Sequence, residues 1–139
     1  MKYLGLDVGD KRIGISLSTS GILASGVETY TRTSLKNDCE HVLDLIKQYK
    51  IDIVVAGLPK HLNGDKHEQA EKNEVFLIAL REHGVKIEYF DERLTSAAAE
   101  KAMLEADLSR KKRKENVDKL AAVIILQDYL DLKNGGTFL

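Results

Sequence analysis

The spacing of apolar residues near the start of the chain indicates three successive strands. Residues 2–8 form an apolar run typical of a buried strand, and residues 12–18 alternate between apolar positions and small or polar ones. Such alternation is typical of an antiparallel strand with one buried face. Residues 22–30 form a weaker third strand, entered through Ser20 and Gly21. The chain is therefore predicted to begin with a three-stranded meander.

After residue 33 the pattern alternates between helices and strands. Ser34 can cap a helix, and residues 51–58 form a continuous apolar run of the kind found in strands covered on both faces. The remaining predicted elements are a helix ending at Gly84, a strand at 85–90, a helix at 95–108, a basic loop or frayed helix end at 109–116, and a helix at 117–132. This order predicts an α/β fold with a mixed five-stranded sheet, in which three antiparallel meander strands precede βαβ units and helices cover both faces.

Bulk composition narrows the class of protein. The 139 residues suit one domain, taken as 1–139, and the net charge of −1 argues against a strongly basic nucleic-acid coat while allowing a local basic patch. The single cysteine, Cys39, excludes an internal disulfide and a zinc site built on cysteine pairs. No apolar run approaches the roughly 20 residues of a membrane span, and no signal-peptide pattern is present. We therefore expect a cytoplasmic protein without membrane association.

Three carboxylates stand where ordinary packing would favour other residues. Asp7 lies within an apolar strand, Glu92 follows the strand at 85–90, and Asp118 heads an otherwise apolar stripe of the last helix. Ligands of α/β sheets bind at the carboxyl edge of the strands, where Glu92 is expected. Because acids at a common site repel one another, a divalent cation is the usual reason to bring them together. The pattern therefore predicts a metal site.

Each acid also has a structural interpretation. Asp7 could cap the turn that follows it, and Asp118 could stabilise the positive end of its helix dipole. Asp91 is the alternative to Glu92, because neighbouring residues of a strand point to opposite faces. We favour Glu92, and the structural alternative is that Arg93 pairs with whichever acid is left over.

Two groups of cations adjoin these acids. Lys11 and Arg12 follow the strand of Asp7, at a hairpin tip suited to holding a phosphate ester. Five consecutive cations precede Asp118: Arg110, Lys111, Lys112, Arg113 and Lys114. Charge runs usually mean a solvated surface. Because this basic run adjoins a candidate metal site in a nearly neutral chain, it favours contacts with a nucleic-acid backbone.

Four segments carry a resemblance to a known family. They are G-L-D-V-G-D-K-R-I-G at 5–14, A-G-L-P at 56–59 with N-G after it, D-E-R-L-T at 91–95, and V-D-K-L-A-A-V-I-I-L-Q-D-Y-L at 117–130. In this order, and over nearly the whole chain, they resemble the YqgF family. These bacterial proteins are related to RuvC-type Holliday-junction resolvases and are described as pre-16S rRNA nucleases.

The resemblance implies a ribonuclease H-like fold and metal-dependent hydrolysis of a phosphodiester. Transferred to this sequence, the catalytic and metal-binding acids are Asp7, Glu92 and Asp118. Two divalent ions, Mg²⁺ or Mn²⁺, are expected, with Asp7 bridging both. The wider resolvase fold often uses a fourth acid, but the next acid on the last helix, Asp128, lies more than two turns away. A three-carboxylate site is therefore expected.

The substrate and some alternatives stay open at this point. The family description favours structured RNA, namely the 5′ end of pre-16S rRNA, and branched DNA is the second choice. A non-catalytic nucleic-acid-binding factor in transcription or ribosome assembly is a competing interpretation. The first segment also resembles the phosphate loop of actin-like ATPases, but those proteins need a second domain that this length does not provide. The protein is expected to be a monomer or a homodimer.

Overall fold

A five-stranded sheet organises the protein. The computed structural model describes residues 1–58, 67–91 and 110–135, and the side chains of 1–57, 73–91 and 117–135. Its elements are β1 (Tyr3–Val8), β2 (Arg12–Ser18), β3 (Ser25–Thr31), α1 (Leu35–Tyr49), β4 (Ile53–Leu58), α2 (His67–Glu82), β5 (Ile87–Asp91) and α3 (Arg110–Lys133). The helix predicted at 95–108 lies outside the described residues.

The strand order confirms the predicted mixed sheet. The order is β3-β2-β1-β4-β5, in which β2 is antiparallel to both β1 and β3. β1 is parallel to β4, and β4 is parallel to β5. The carboxyl ends of β1, β4 and β5 therefore meet at the same edge of the sheet.

Two predicted boundaries were wrong. β3 begins at Ser25 instead of residue 22, because the backbone amides of Ile22 and Leu23 donate to the Ser20 hydroxyl, each at 3.1 Å, and form a turn. α3 begins at Arg110, so the basic run belongs to the last helix. Lysine, arginine and glutamate favour helices, and neither glycine nor proline interrupts residues 110–133. By contrast, the predicted Ser34 cap is confirmed by its hydrogen bond from the Asn37 amide at 3.1 Å.

Helices cover both faces of the sheet, as predicted. Along β1, Leu4, Leu6 and Val8 pack in a core with α1 and α2, which defines the α1–α2 face. Tyr3 packs on the opposite side with residues of α3, which defines the α3 face. Side chains alternate along a strand, so Asp7 belongs to the α3 face together with Tyr3. No helix within the described ranges is long and apolar enough to cross a membrane.

α3 crosses its face of the sheet in the direction opposite to β1. Its backbone at Asp118 lies against Gly14 of β2, and the ring of Tyr129 lies 5.9 Å from that of Tyr3 at the start of β1. The first turns of α3 therefore lie toward the carboxyl edge. The eight residues before Asp118 continue the helix by roughly 12 Å at 1.5 Å per residue.

Tyr129 anchors the far end of α3. Its hydroxyl donates to the Glu88 carboxylate of β5, and its ring meets Phe90 edge-on with centroids 6.1 Å apart. Burial raises the pKa of the Tyr129 phenol, and the hydrogen bond and the negative charge of Glu88 raise that pKa further. The neutral phenol is therefore the form that the folded protein favours.

We expect Tyr129→Phe to change stability in a pH-dependent way. At pH 7 the variant should unfold more easily by about 1 kcal/mol, because Glu88 loses a hydrogen-bond donor. Above roughly pH 10 the unfolded chain releases the tyrosine proton while the folded protein retains it, so the wild type should lose stability relative to the variant. Urea unfolding of both proteins between pH 7 and 10.5 measures the difference. A difference that stays constant over this range would contradict the assignment.

Candidate active site

Asp7 occupies a buried position at the carboxyl edge of the sheet. It is the second-last residue of β1 and is only 5% exposed. Its cross-strand neighbours are Gly14 of β2 and Gly57 of β4, neither of which has a side chain. The carboxylate therefore stands between two positions that leave the α3 face open to another group.

Asp118 is brought to the same place by a close backbone contact. A Cβ atom added to Gly14 would lie 1.8 Å from the Asp118 carbonyl oxygen, so the helix backbone rests directly on this glycine. Gly14 is the register partner of Asp7, and such partners have Cα atoms about 5 Å apart. Two of the three predicted metal ligands thus lie at neighbouring positions on one face.

Small residues along the next turn of α3 maintain this approach. The Ser16 hydroxyl donates to the Ala122 carbonyl oxygen at 2.8 Å, and a Cβ on Gly5 would lie 3.1 Å from that oxygen. Ala121 and Ala122 are both buried. The small side chains of these alanines let the helix approach the sheet closely.

Arg12 forms an ion pair with Asp118. The Arg12 Nε donates to the Asp118 Oδ2 at 2.9 Å, with side-chain exposures of 37% and 19% respectively. A polar cavity of about 270 Å³ adjoins the pair and is lined by Gly9, Asp10, Lys11, Arg12 and Asp118. The two cations predicted to hold a phosphate ester therefore line one cavity with a candidate metal ligand.

The turn that carries these cations is held from the α1–α2 face. The Gly9 amide donates to the Arg12 carbonyl oxygen at 2.8 Å and closes the turn. Arg32 Nη1 donates to the Gly9 carbonyl oxygen at 3.0 Å, and Asn73 Nδ2 donates to the Val8 carbonyl oxygen at 3.0 Å. Arg32, which directly follows β3, and Asn73 of α2 thus fix the backbone that leads from Asp7 to Arg12.

Asp38 is the buried centre of this support. Its carboxylate is 1% exposed and accepts hydrogen bonds from Arg32 Nε at 2.9 Å, the Tyr30 hydroxyl at 3.0 Å and the Thr33 amide at 3.0 Å. Sequence reasoning missed Arg32, Asp38 and Asn73. An acid in a first helical turn has an ordinary capping explanation, and the only available signal was its position four residues after Ser34.

The third predicted ligand follows β5. Glu92 lies outside the described residues, whereas Asp91 is the last residue of β5 and pairs in register with Leu58. Phe90 packs in the core of the α3 face, so alternation assigns Asp91 to the opposite face from Asp7. Asp128 is ten residues along α3 from Asp118, or roughly 15 Å along the axis.

The described carboxylates are compatible with a hard divalent cation. Asp7 and Asp118 offer oxygen ligands, which Mg²⁺ and Mn²⁺ prefer. Among the described residues, no group of three or more His, Cys, Asp and Glu side chains is arranged around a common metal position. The described part of the chain therefore contains two of the three residues that the sequence predicts as metal ligands.

Comparison with solved structures defines the class of fold. The chain aligns with Thermus thermophilus RuvC in complex with a Holliday junction substrate, with a TM-score of 0.65 and 18% identity over 97% of this chain and 96% of that one. It also aligns with the fowlpox virus resolvase in a Holliday junction DNA complex, with a TM-score of 0.50 and 11% identity over 96% and 99%. The fold is therefore the ribonuclease H-like fold of RuvC-type resolvases.

The sequence comparisons are more specific. A family model described as RuvX, Holliday junction resolvase, matches residues 1–132. A protein of Clostridium tetani named "Putative pre-16S rRNA nuclease" is 51% identical over 133 residues, which cover 94% of this chain and 96% of that protein. A Clostridioides difficile protein of the same name is 48% identical over 134 residues, or 95% of each chain. The chain belongs to the RuvX family, also called YqgF, which confirms the resemblance.

We expect Gly14→Ala to be strongly destabilising. The new Cβ would overlap the backbone of Asp118, so α3 must move away from the sheet at a cost of about 2–3 kcal/mol. Gly84→Ala is the control. A Cβ added there would have no atom within 4 Å, so the variant loses only the free energy needed to hold alanine in a left-handed backbone conformation, about 1–2 kcal/mol. Urea unfolding compares the two variants. A Gly14→Ala protein as stable as the wild type would contradict the close contact.

Proposed function

We propose that the protein is a divalent-metal-dependent endonuclease, formed by residues 1–139 as one domain, that processes the 5′ end of pre-16S rRNA. The observation that carries this proposal is the approach of Asp118 to buried Asp7 through the side-chain-free position at Gly14. Membership of the RuvX family supports hydrolysis of nucleic acid as the reaction. The names of the clostridial relatives support the RNA substrate.

Asp7, Glu92 and Asp118 would hold two Mg²⁺ or Mn²⁺ ions. When bound, such ions activate the attacking water and stabilise the charge of the departing oxygen. Asp7 is suited to the shared ligand position, because its strand is paired on both sides and its carboxylate is buried. The assignment of Asp91 to the α1–α2 face supports Glu92 as the ligand that follows β5.

Lys11, Arg12 and the basic start of α3 would bind the phosphate backbone. The helix places its residues 100° apart, so positions 111 and 114 lie within about 40° of the line through Asp118, whereas 112 and 113 lie on the opposite side. The face of α3 that carries Asp118 therefore continues past the sheet edge with Lys111 and Lys114. A nucleic-acid strand bound at the acids would meet these two cations first.

Branched DNA is the second candidate substrate. The family model is described as Holliday junction resolvase, and the aligned Thermus thermophilus and fowlpox virus structures contain Holliday junction DNA. In either case the protein would act on the sugar-phosphate backbone through the same acids and cations. Substrate choice is therefore a separate question from the chemistry of the site.

We expect Asp7→Asn to abolish metal-dependent cleavage while nucleic-acid binding is retained. Loss of groups that only support metal ligands costs about 10–100-fold, so loss of a ligand itself should cost more than about 100-fold. The assay is cleavage of a 5′-extended 16S rRNA precursor and of a four-way DNA junction, with Mn²⁺ or with EDTA. Asp44→Asn, at an exposed position of α1, is the matched control.

The outcomes of this assay separate the candidate functions. Cleavage of the RNA alone by the wild type and the control supports the rRNA nuclease, and cleavage of the junction alone supports the resolvase. Full metal-dependent cleavage by Asp7→Asn would refute the proposed site. Binding by all three proteins without cleavage by any would favour a non-catalytic factor.

We expect the two sides of the basic helix start to contribute unequally to binding. Lys111→Gln with Lys114→Gln should weaken binding of the rRNA precursor about tenfold and reduce the slope of log affinity against log salt by about 2. The double variant Lys112→Gln with Arg113→Gln removes the same charge from the opposite side of the helix and should weaken binding of the precursor less. Fluorescence anisotropy at several salt concentrations measures both. Equal losses of affinity in the two double variants would show that binding depends only on the total charge of the helix start.

A further inference from the structure

The Arg12–Asp118 ion pair engages a carboxylate that the proposed function assigns to a metal ion. Arg12 is anchored by its backbone, since its carbonyl oxygen accepts from the Gly9 amide at 2.8 Å and it pairs in register with Thr31. Its side chain, in contrast, is 37% exposed and borders the polar cavity. A fixed backbone with a partly exposed side chain allows the guanidinium to turn without any change in the strand.

The charges at this edge favour such a movement. The backbone of Asp118 lies against Gly14, the cross-strand neighbour of Asp7, and a cation near two such acids would relieve their repulsion. In the structure the guanidinium of Arg12 supplies one positive charge to Asp118. A divalent ion bound to the same carboxylate would repel the guanidinium and would itself balance the negative charge of Asp118. The two cations are therefore competitors for one carboxylate.

We propose that Arg12 is the counter-ion of Asp118 in the metal-free protein and is released by metal binding to contact a substrate phosphate. This inference rests on the metal site of the proposed function. The cavity of about 270 Å³ is much larger than the roughly 30 Å³ that a water molecule occupies, so the guanidinium has room to turn. Guanidinium binds phosphate through paired donors, and Lys11 lines the same cavity. Arg12 thereby acts as a positioning residue that couples metal loading to substrate binding.

Metal binding without nucleic acid tests the competition directly. Isothermal titration with Mn²⁺ should show that Arg12→Gln binds the metal about threefold to fivefold more tightly than the wild type, the scale of a partly exposed ion pair. Lys11→Gln removes the same charge from the same turn but leaves the Arg12–Asp118 pair intact, and it should change the affinity by less than about twofold. Unchanged or weaker binding by Arg12→Gln would overturn the proposal.

Thermal unfolding of the same proteins is a second test of the competition between Arg12 and the metal ion. Without metal, Arg12→Gln should melt at a lower temperature than the wild type, because Asp118 has lost its counter-ion. At saturating Mn²⁺ the two melting temperatures should converge, because the pair is already broken in the wild type. If Arg12→Gln still melts at a lower temperature than the wild type at saturating Mn²⁺, the ion pair is a static structural contact.

Two further measurements separate this proposal from the metal site itself. Asp118→Asn should lose Mn²⁺ affinity, and if it binds as the wild type does, or if the wild type binds no metal, both proposals fail. If Asp118→Asn loses affinity and Arg12→Gln gains none, only the exchange fails. The Nε–H resonance of Arg12, assigned by its absence in Arg12→Gln, should shift on saturation with diamagnetic Mg²⁺ and stay fixed if the pair persists.

Discussion

The contact between the α3 backbone and Gly14 controls the geometry of the whole site. With no side chain between them, the helix at Asp118 and the strand beside Asp7 are held at backbone distance. The Ser16 hydrogen bond to the Ala122 carbonyl oxygen fixes the next turn in the same way. The separation of the Asp7 and Asp118 backbones is therefore set by rigid elements.

This close approach has an electrostatic cost that the β1–β2 turn offsets. Asp7 is buried, the backbone of Asp118 lies against its cross-strand neighbour Gly14, and Arg12 at the end of the turn pairs with Asp118. The turn itself is held from the α1–α2 face by Arg32 and Asn73, through the carbonyl oxygens of Gly9 and Val8. A polar network on one side of the sheet thus positions a cation that acts on the other side.

α3 carries both the candidate ligand Asp118 and the basic run. Its packed part carries Asp118 to the sheet, and its first two turns carry the basic run beyond the carboxyl edge. In the proposed nuclease, any shift of this helix would alter substrate binding and the acidic site together. The helix start at Arg110 is what creates this coupling, because a loop at 109–116 would have left the cations independent of the acids.

The sequence alone determined the features that depend on local periodicity. Alternation predicted the mixed sheet with helices on both faces, and acids at apolar positions singled out Asp7 and Asp118. Only the tertiary structure decided that Arg12 pairs with Asp118 and that Asp38 holds Arg32. Arg12 and Asp118 are 106 residues apart, and 21 basic and 22 acidic residues allow many pairings. Periodicity assigns a residue to a face, but only the packing of strands and helices selects which charges meet.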